Sequence, residues 1–393
     1  MEEVARYTYR LRPGVTAERA LVDEWNRCRY LWNEAVHQQQ AGRKPTQAKL
    51  GKLLTAARAA NTWLRAGSQN AQACTLNTYS TALDQSFKIK ERNRPRIKKR
   101  AKTLPSLGYT RNGFSIRDGR LRLPKGVSIP VVWSRELPAE PTSVRVYRDS
   151  IGHWYASFVV RREARQQPHT AGSGIGIDWG VTTTATTTNP SYDLPFGGHR
   201  RRCAAELAKQ QRRMSRRRRP RDRAPSKGYQ IARRHAAKLY KKAQRQNTHA
   251  ARIWAKSIVA DHQLIAVEDF KPRFLAKSTM ARKSADAAIS TAKRELIERA
   301  VRAGRQVVIV VPAYTTMTCS VCFARTKQRL ELAERTFRCQ DCGNTDTRDR
   351  NAARTILAVA ERGHTSVDDI SHGSASSHEG VDSVRSELEI LRP

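Results

Sequence analysis

Four of the seven cysteines stand in two close pairs, and their spacing limits what this part of the chain can form. Cys319 and Cys322 are separated by two residues, as are Cys339 and Cys342, and 16 residues lie between the two pairs. Four thiolates at this spacing can complete a tetrahedron around one Zn²⁺ ion and leave no open position for a substrate. The sequence therefore predicts a structural zinc ribbon over residues 319–342.

Three acidic residues stand where apolar or helical patterns end or begin. Asp178 follows the apolar run at 174–177, Glu268 follows a similar run at 264–267, and Asp349 opens a helical pattern. Carboxylates held at strand ends and at a helix start can converge on two Mg²⁺ ions, an arrangement that hydrolyses phosphodiesters. For each acid taken alone, the alternative is a solvated strand end or an aspartate that complements a helix dipole.

The charge balance indicates what kind of phosphodiester such a site would hydrolyse. Lysine and arginine number 74 against 35 acids, a formal net charge of +39 over 393 residues. Such a chain would repel itself unless a polyanion neutralised many of its charges, so nucleic acid is the expected partner. No apolar run approaches the roughly 20 residues of a membrane-spanning helix, and the N-terminus lacks a signal-peptide pattern, so we expect a soluble intracellular protein without a membrane partner.

Two basic stretches are the candidate contacts with nucleic acid. Residues 199–247 hold 19 lysines and arginines and two acids, and 88–102 is a basic linker in which Asn93 and Pro95 disfavour a helix. We predict phosphate contacts from both, with a solubilising or import-like tract and a solvated charge run as the respective alternatives. The candidate residues are Arg94, Arg96, Lys98, Lys99, Arg212, Arg213, Arg216, Arg217, Arg218 and Arg219.

The N-terminal part combines a helical block with short strands. A strand pattern at 4–11 precedes three helical patterns, which begin near 16 and end near 90. From about 105 to 160, runs with a period of two recur between Gly, Pro and Asp residues. Short strands at this spacing predict a small antiparallel barrel, which the first strand could join, making the helices an insertion.

The order of patterns changes after about residue 174. Three strand patterns come first, then long basic helices between 200 and 260, and then strands that alternate with helices up to residue 361. This order is typical of an RNase H-like mixed sheet. From Gly363 onward the chain is rich in Ser, His and Asp, which predicts a disordered tail.

These motifs resemble those of the TnpB family, RNA-guided nucleases that bacterial insertion sequences encode and that are considered ancestral to type V CRISPR effectors. The resemblance covers nearly the whole chain up to about residue 361. Its most specific parts are Gly176-Ile-Asp178-x-Gly180, Val267-Glu268-Asp269, Tyr314-Thr315-x3-Cys319-Ser-x-Cys322, Cys339-x2-Cys342-Gly343 and Arg348-Asp349-x-Asn351-Ala352-Ala353. It implies that Asp178, Glu268 and Asp349 form a RuvC catalytic site with two Mg²⁺ ions, and that the four cysteines bind one structural Zn²⁺ ion.

The resemblance also implies partners and a division into domains. The expected partners are a guide RNA and double-stranded target DNA, cut beside a short motif by a bacterial cytoplasmic protein that is at the nucleoid when bound to DNA. The expected fold class is multidomain α+β, a RuvC domain with an inserted zinc ribbon joined to an N-terminal β-barrel with a helical insertion. The expected bounds are 1–15 and 91–170 for the wedge barrel, 16–90 for the recognition helices, 171–318 and 343–362 for the RuvC nuclease, 319–342 for the zinc ribbon and 363–393 for the tail.

Two departures from the family pattern leave the acids in place. Phe323 stands where a glycine is usual after the second cysteine, and Trp179 stands where an aliphatic residue is common. We therefore expect an active nuclease, with a miniature type V CRISPR effector as the near alternative and a non-cleaving guided repressor as the other. Asp269 would project to the opposite side of a strand from Glu268, so we expect it to play a supporting or structural part.

Overall fold

Two compact units make up the chain, residues 1–163 and 164–393. The structure is a computed structural model that describes residues 2–42, 45–90, 92–163, 174–220, 223–271, 280–326 and 334–371. Both units contain helices and strands, so the mixed content that the sequence predicted is confirmed. Within these ranges, every helix is too short or too polar to cross a bilayer.

The first unit is built on seven antiparallel strands. They are β1 (Glu2–Leu11), β2 (Ser106–Thr110), β3 (Ser115–Arg117), β4 (Arg120–Leu123), β5 (Val127–Val132), β6 (Pro141–Arg148) and β7 (Trp154–Glu163). Their order is β2-β6-β7-β1-β5-β4-β3, so the first strand joins the later ones, between β7 and β5. Because β2 and β3 stand at the two ends of this order in the described residues, closure into a barrel stays a prediction.

Four helices lie between β1 and β2 in the sequence. They are α1 (Val15–Gln40), α2 (Gln47–Ala60), α3 (Thr62–Arg65) and α4 (Gln69–Lys88). The C-terminal half of α1 packs on α4, where the rings of Trp32 and Tyr79 meet edge to face at 5.2 Å. The N-terminal half of α1 contributes Leu21 and Trp25 to the core of the sheet. The helical block is therefore held to the sheet by the same long helix that organises the block.

The second unit is built on a five-stranded mixed sheet. Its strands are β8 (Gly174–Trp179), β9 (Thr183–Thr187), β10 (Leu194–Pro195), β11 (Leu264–Glu268) and β12 (Gln306–Val310). The order is β10-β9-β8-β11-β12, in which the first three strands are antiparallel and β8, β11 and β12 are parallel. A two-stranded ladder, β13 (Thr336–Arg338) and β14 (Thr345–Thr347), belongs to the cysteine segment.

The described helices of the second unit are α5 (His199–Arg202), α6 (Ala204–Arg216), α7 (Lys227–Asp261), α8 (Ala281–Ala287), α9 (Ile289–Arg302), α10 (Arg348–Glu361) and α11 (Val367–Ser371). Some of them cover the two faces of the mixed sheet. Ile177 and Val267 pack with α7 and α9, whereas Ala266 packs with α10 on the other face. Because side chains alternate along a strand, Asp178 and Glu268 point to the face that α10 covers.

Helix α10 lies directly on β8 at Gly176. A Cβ atom at this position would lie 1.9 Å from the carbonyl oxygen of Ala353, so no larger residue fits without moving the helix. Gly176 therefore determines how closely α10 approaches β8 near Ala353.

The chain stays ordered beyond the point where a disordered tail was expected. Helix α11 follows residue 363, and its Val367 is only 2% exposed because it packs with Ala266 and Val310. The prediction of disorder is thus wrong for this helix, and the remainder of the predicted tail, 372–393, lies outside the described residues.

Candidate functional site

Two of the three predicted acids meet at the ends of adjacent parallel strands. Ile177 of β8 is in register with Val267 of β11, so Asp178 and Glu268 follow at the same level. Their side chains are buried, with Asp178 7% and Glu268 6% exposed. The indole of Trp179 donates to the carbonyl oxygen of Glu268 at 3.2 Å and ties the two strand ends together.

Asp349 joins the other two acids from helix α10. It is the second residue of α10, directly after Arg348, and its side chain is 34% exposed. The charges of Glu268 and Asp349 both act on the carboxyl group of Asp178. The structure thus brings the three acids, which are distant in the sequence, to one end of the sheet.

Burial and mutual repulsion act on the carboxyl groups, and nearby cations offset them in part: Arg335 pairs with Asp349 at 3.7 Å, and Arg348 acts on Asp178. Burial, and then the charges of Glu268 and Asp349, raise the pKa of Asp178 well above its ordinary value, while Arg348 opposes the shift. Burial likewise raises the pKa of Glu268 to about 7, although the hydroxyl of Thr315 donates to its Oε1 at 3.4 Å. Such a site favours the uptake of protons or of a cation.

The carboxylates are less tightly grouped than the cysteines. Among the described residues, only the four cysteines place all their ligand atoms within 4.8 Å of one another. Two Mg²⁺ ions about 4 Å apart, each about 2 Å from its oxygen ligands, can share carboxylates that are farther apart than this. The carboxylate oxygens are nevertheless the kind of ligand that hard divalent cations prefer.

The four cysteine sulfur atoms form the compact cluster that the spacing predicted. Cys319 Sγ lies 3.6 Å from Cys342 Sγ, and Cys322 Sγ lies 3.6 Å from Cys339 Sγ. A tetrahedral zinc ion with Zn–S bonds of about 2.3 Å places its sulfur ligands about 3.8 Å apart. A disulfide would need about 2.05 Å, so the geometry fits a four-thiolate metal site and not a pair of disulfides.

The residue after each cysteine pair has a left-handed backbone. Gly343 has φ of 73°, and Phe323 has φ of 61° at the equivalent position of the first pair. Glycine adopts this conformation without steric cost, which explains why a glycine was expected where Phe323 stands. The Phe323 ring gains a compensating contact, because the guanidinium of Arg362 lies 4.0 Å from its centroid.

Asn351 joins the cysteine segment to the helix that carries Asp349. Its Nδ2 donates to the carbonyl oxygen of Thr318 at 2.8 Å, and its Oδ1 accepts from the backbone N–H of Ser320 at 3.0 Å. Thr355, one turn along α10, also donates to the Thr318 carbonyl, at 3.1 Å. The backbone just before and just after Cys319 is therefore fixed to α10 at the turn that follows Asp349.

A second anchor of α10 had no signal in the sequence. Arg350 forms a two-pronged ion pair with Asp193, with N–O distances of 2.9 and 2.8 Å, and also donates to the carbonyl oxygen of Thr187. Asp193 in turn accepts from the backbone N–H of Thr187 at 2.8 Å. This network, the Arg350–Asp193 clamp, holds the start of α10 to β9, which pairs with the strand that carries Asp178.

Asp269 supports the site from outside it, as expected. Its backbone N–H donates to the carbonyl oxygen of Val310 at 2.8 Å, and its carboxylate accepts from Lys293 at 2.9 Å and pairs with Lys271 at 3.1 Å. Lys293 is only 5% exposed, and its positive charge lowers the pKa of Glu268. A buried cation thus stands beside the buried acids.

The predicted phosphate-binding residues are exposed, with one exception. Six of them lie at the end of α6 and directly after it, and all six are exposed: Arg212, Arg213, Arg216, Arg217, Arg218 and Arg219. In the first unit, Arg94, Arg96 and Lys99 are exposed as well. Lys98 differs, because its ammonium group lies 3.3 Å from the centroid of Trp32, so that its charge is directed into the protein and not toward a phosphate.

Comparison with known proteins gives matches along most of the chain. Residues 157–279 match the family described as "Probable transposase", and residues 290–356 match the "Cas12f1-like, TNB domain". A protein of Streptomyces pristinaespiralis named "Putative RNA-guided DNA endonuclease" is 33% identical over 307 residues, 77% of this chain and 74% of that protein.

A second relative and a solved structure extend the comparison. "Putative RNA-guided DNA endonuclease InsQ" of Escherichia coli strain K12 is 26% identical over 383 residues, 91% of this chain and 93% of that protein. One solved structure, "Cryo-EM structure of the Cas12f1-sgRNA-target DNA complex", aligns with a TM-score of 0.33 and 13% identity, over 90% of this chain and 99% of that chain.

Proposed function

We propose that this chain, which belongs to the TnpB family, is an RNA-guided DNA endonuclease of an insertion sequence. The observation that carries the proposal is the convergence of Asp178, Glu268 and Asp349 at one end of the mixed sheet, where two of them are buried and their charges interact. A protein that only bound nucleic acid would have no use for carboxylates in a place where they repel both each other and a phosphodiester.

Asp178, Glu268 and Asp349 would hold two Mg²⁺ ions, which, when bound, activate a water nucleophile and stabilise the leaving oxyanion. The protein's own part is to fix these three side chains. The two strands position Asp178 and Glu268 in register, the hydroxyl of Thr315 orients the Glu268 carboxylate, and α10 brings Asp349 to them. Burial keeps bulk water away from the two strand-end acids, which strengthens their attraction for a cation.

The sheet order supports a RuvC-type, RNase H-like nuclease in the second unit, over 171–318 and 343–362, with the zinc ribbon at 319–342 as a closed structural site. We assign the strands of the first unit to the wedge barrel, for which the sequence predicts 1–15 and 91–170, and α1 to α4 to the recognition insertion, for which it predicts 16–90. Base pairing between the guide RNA and the target supplies sequence specificity, while exposed arginines after α6 contact the nucleic-acid backbone.

The RNA that co-purifies with the protein tests this function. We expect a defined structured RNA that derives from the end of the insertion sequence, and Mg²⁺-dependent cleavage of complementary double-stranded DNA beside a short motif. An RNA derived from a neighbouring repeat array would instead indicate a miniature CRISPR effector. Guided binding without cleavage at any Mg²⁺ concentration would replace the nuclease by a guided repressor.

Weakening the Arg350–Asp193 clamp should slow cleavage without weakening nucleic-acid binding. In Arg350→Met, the start of α10 loses its ion pair to Asp193 and its bond to the Thr187 carbonyl, so Asp349 is held less precisely. We expect the single-turnover cleavage rate to fall about 10- to 100-fold, since small displacements of catalytic groups have effects of this size. We also expect a higher Mg²⁺ concentration for half-maximal rate, which a purely structural defect would not produce.

The matched control removes an arginine ion pair elsewhere in the second unit. Arg302 pairs with Glu298 within α9 at 3.6 Å, and the Arg302 side chain is 51% exposed. Arg302→Met should therefore leave the rate and the Mg²⁺ requirement close to those of the unmodified protein. Equal effects of the two substitutions would mean that the clamp has no special part in positioning Asp349.

A further inference from the structure

A strongly basic segment of the first unit is fixed in place although it forms no helix or strand. Residues 92–102, the basic strap, contain seven lysines and arginines and no acid. The strap follows α4 and precedes β2. A segment with this charge would repel itself and be expected to remain loose in solution. Its ordered path therefore needs a cause, which its contacts with α1 supply.

The backbone of the strap is bonded to side chains of α1. Asn33 makes a two-way bond with Lys98: its Oδ1 accepts from the backbone N–H at 2.8 Å and its Nδ2 donates to the carbonyl oxygen at 3.3 Å. The indole of Trp32 donates to the carbonyl oxygen of Arg96 at 3.0 Å. These bonds use backbone groups that a helix or strand would otherwise satisfy, so they fix the strap as an extended segment.

The side chain of Lys98 is the third anchor. Its ammonium nitrogen lies 3.3 Å from the ring centroid of Trp32 and 5.2 Å from that of Trp25. Burial lowers the pKa of Lys98 to about 8, so the group is still mostly a cation at neutral pH. A desolvated cation is attracted to the face of an indole ring, which offsets part of the cost of ordering the strap. The positive charge of Lys98 is thus used inside the protein.

Three neighbouring charges of the strap are exposed and form no ion pair with another described residue. Arg96, Lys99 and Arg100 are exposed. The ion pairs of the described residues in this unit involve other arginines: Arg27, Arg111, Arg122, Arg148 and Arg162. Holding several like charges in a row costs free energy, and an external polyanion would recover that cost.

We propose that the basic strap is a preformed binding surface for the phosphodiester backbone of a nucleic acid. Arg96, Lys99 and Arg100 contact phosphates, while Asn33 and Lys98 hold the strap in its bound conformation before the nucleic acid arrives. The identification of the ligand rests on the proposed function, which makes nucleic acid the partner. A fixed strap binds more tightly than a loose one with the same charges, because the entropy of ordering it has already been lost on folding.

The first test removes the outward charges. Binding of the co-purifying RNA by the RNA-free protein, and of a matching DNA duplex by the RNA-loaded protein, is measured over a range of salt concentrations without added Mg²⁺. Arg96→Gln/Lys99→Gln/Arg100→Gln should reduce the slope of log K against log salt by about 2 to 3 and the affinity at 0.15 M salt on the order of 100-fold. Loss in the RNA arm assigns the strap to the guide, and loss in the DNA arm assigns it to the target.

The control removes the same charge from another exposed part of the same unit. Lys49 and Lys52 on α2 and Arg65 on α3 are exposed and lie outside the strap. Lys49→Gln/Lys52→Gln/Arg65→Gln should change the affinity less than 10-fold in both arms. An equal loss in the two triple variants would overturn the proposal, because net charge alone would then account for it.

The second test loosens the strap and keeps its charges. Asn33→Leu removes the two-way bond to Lys98, and Trp32→Phe removes the bond to Arg96 while keeping an aromatic ring. Each should lower the affinity about 10-fold in the same arm as the charge variant, with the salt slope unchanged, since the number of phosphate contacts is the same. Melting curves identify a variant that has lost its fold. The affinity of the other, folded variant then decides whether the strap is preformed.

Wild-type affinity in a folded anchor variant would overturn the claim that the strap is preformed. The proposed nuclease function is tested by a different measurement, the cleavage of DNA by the unmodified protein. A wild-type chain that binds RNA but never cuts DNA, with strap variants that still lose affinity, would refute the nuclease and leave the strap intact.

Discussion

Asp178→Asn should abolish DNA cleavage while the guide RNA and the target DNA remain bound. The substitution keeps the size of the side chain but removes the negative charge at the centre of the three acids, where Glu268 and Asp349 both act on it. A neutral amide cannot hold a pair of hard cations as a carboxylate does. We expect the single-turnover rate to fall at least about 1,000-fold, which corresponds to roughly 4 kcal/mol of transition-state stabilisation.

The same variant should be more stable than the unmodified protein when no metal is present. Because burial and like charges raise the pKa of Asp178 in the folded state, ionising this group costs stability as the pH rises above its ordinary value of 3.8. An amide carries no such cost, so the Tm of metal-free Asp178→Asn should exceed that of the unmodified protein at pH 8, and the difference should shrink toward pH 4. Added Mg²⁺ should raise the Tm of the unmodified protein only.

Glu361→Gln is the control for this experiment. Glu361 is an exposed acid at the end of α10, the helix that carries Asp349, and its replacement should leave cleavage unchanged. Undiminished cutting by Asp178→Asn would remove the catalytic assignment of the three acids. A lower Tm in that variant would show that the side chain serves the fold.

Sequence patterns were sufficient to locate the strand-end acids, for a simple reason. Short apolar runs that end at Ile177 and Val267 mark buried strands, and parallel neighbours bring their carboxyl ends to one edge. The approach of Asp349 depends on Gly176, whose lack of a side chain lets α10 lie on the sheet. That glycine is visible in the sequence, but the helix it accommodates lies more than 170 residues away and leaves no local signal.

Contacts between distant polar groups were beyond prediction. The Arg350–Asp193 clamp joins residues 157 positions apart, and nothing around Asp193 distinguishes it from a loop acid. Lys98 lies in a basic run, and the sequence therefore predicts that it contacts a phosphate. Only the fold reveals that its ammonium group lies over two tryptophans of α1. In both cases the local sequence describes the charge correctly, and the tertiary structure decides whether that charge serves the fold or a ligand.

Replacing two zinc ligands should have the largest effect on stability. Cys339→Ala/Cys342→Ala leaves two thiolates, which cannot close a tetrahedron, so bound zinc should fall from about one ion per chain to none. Structural zinc contributes about 10–16 kcal/mol of apparent binding free energy in zinc-finger peptides, and the small core around Phe337 cannot replace it. We expect hydrogen exchange to become fast over 318–326 and 334–347, as measured by mass spectrometry.

The loss should reach the acids through Asn351. Once the backbone near Cys319 is loose, Asn351 loses its partners at Thr318 and Ser320, and the start of α10 becomes less constrained. We expect cleavage to fall at least about 100-fold even at saturating Mg²⁺.

The control is Cys74→Ala/Cys203→Ala, which removes two half-buried thiols outside the cluster and should preserve zinc, exchange and cleavage. Full zinc content in the ligand variant would refute the ribbon. Zinc loss with normal cleavage would show that the Arg350–Asp193 clamp and the close contact at Gly176 hold Asp349 in place without the ribbon.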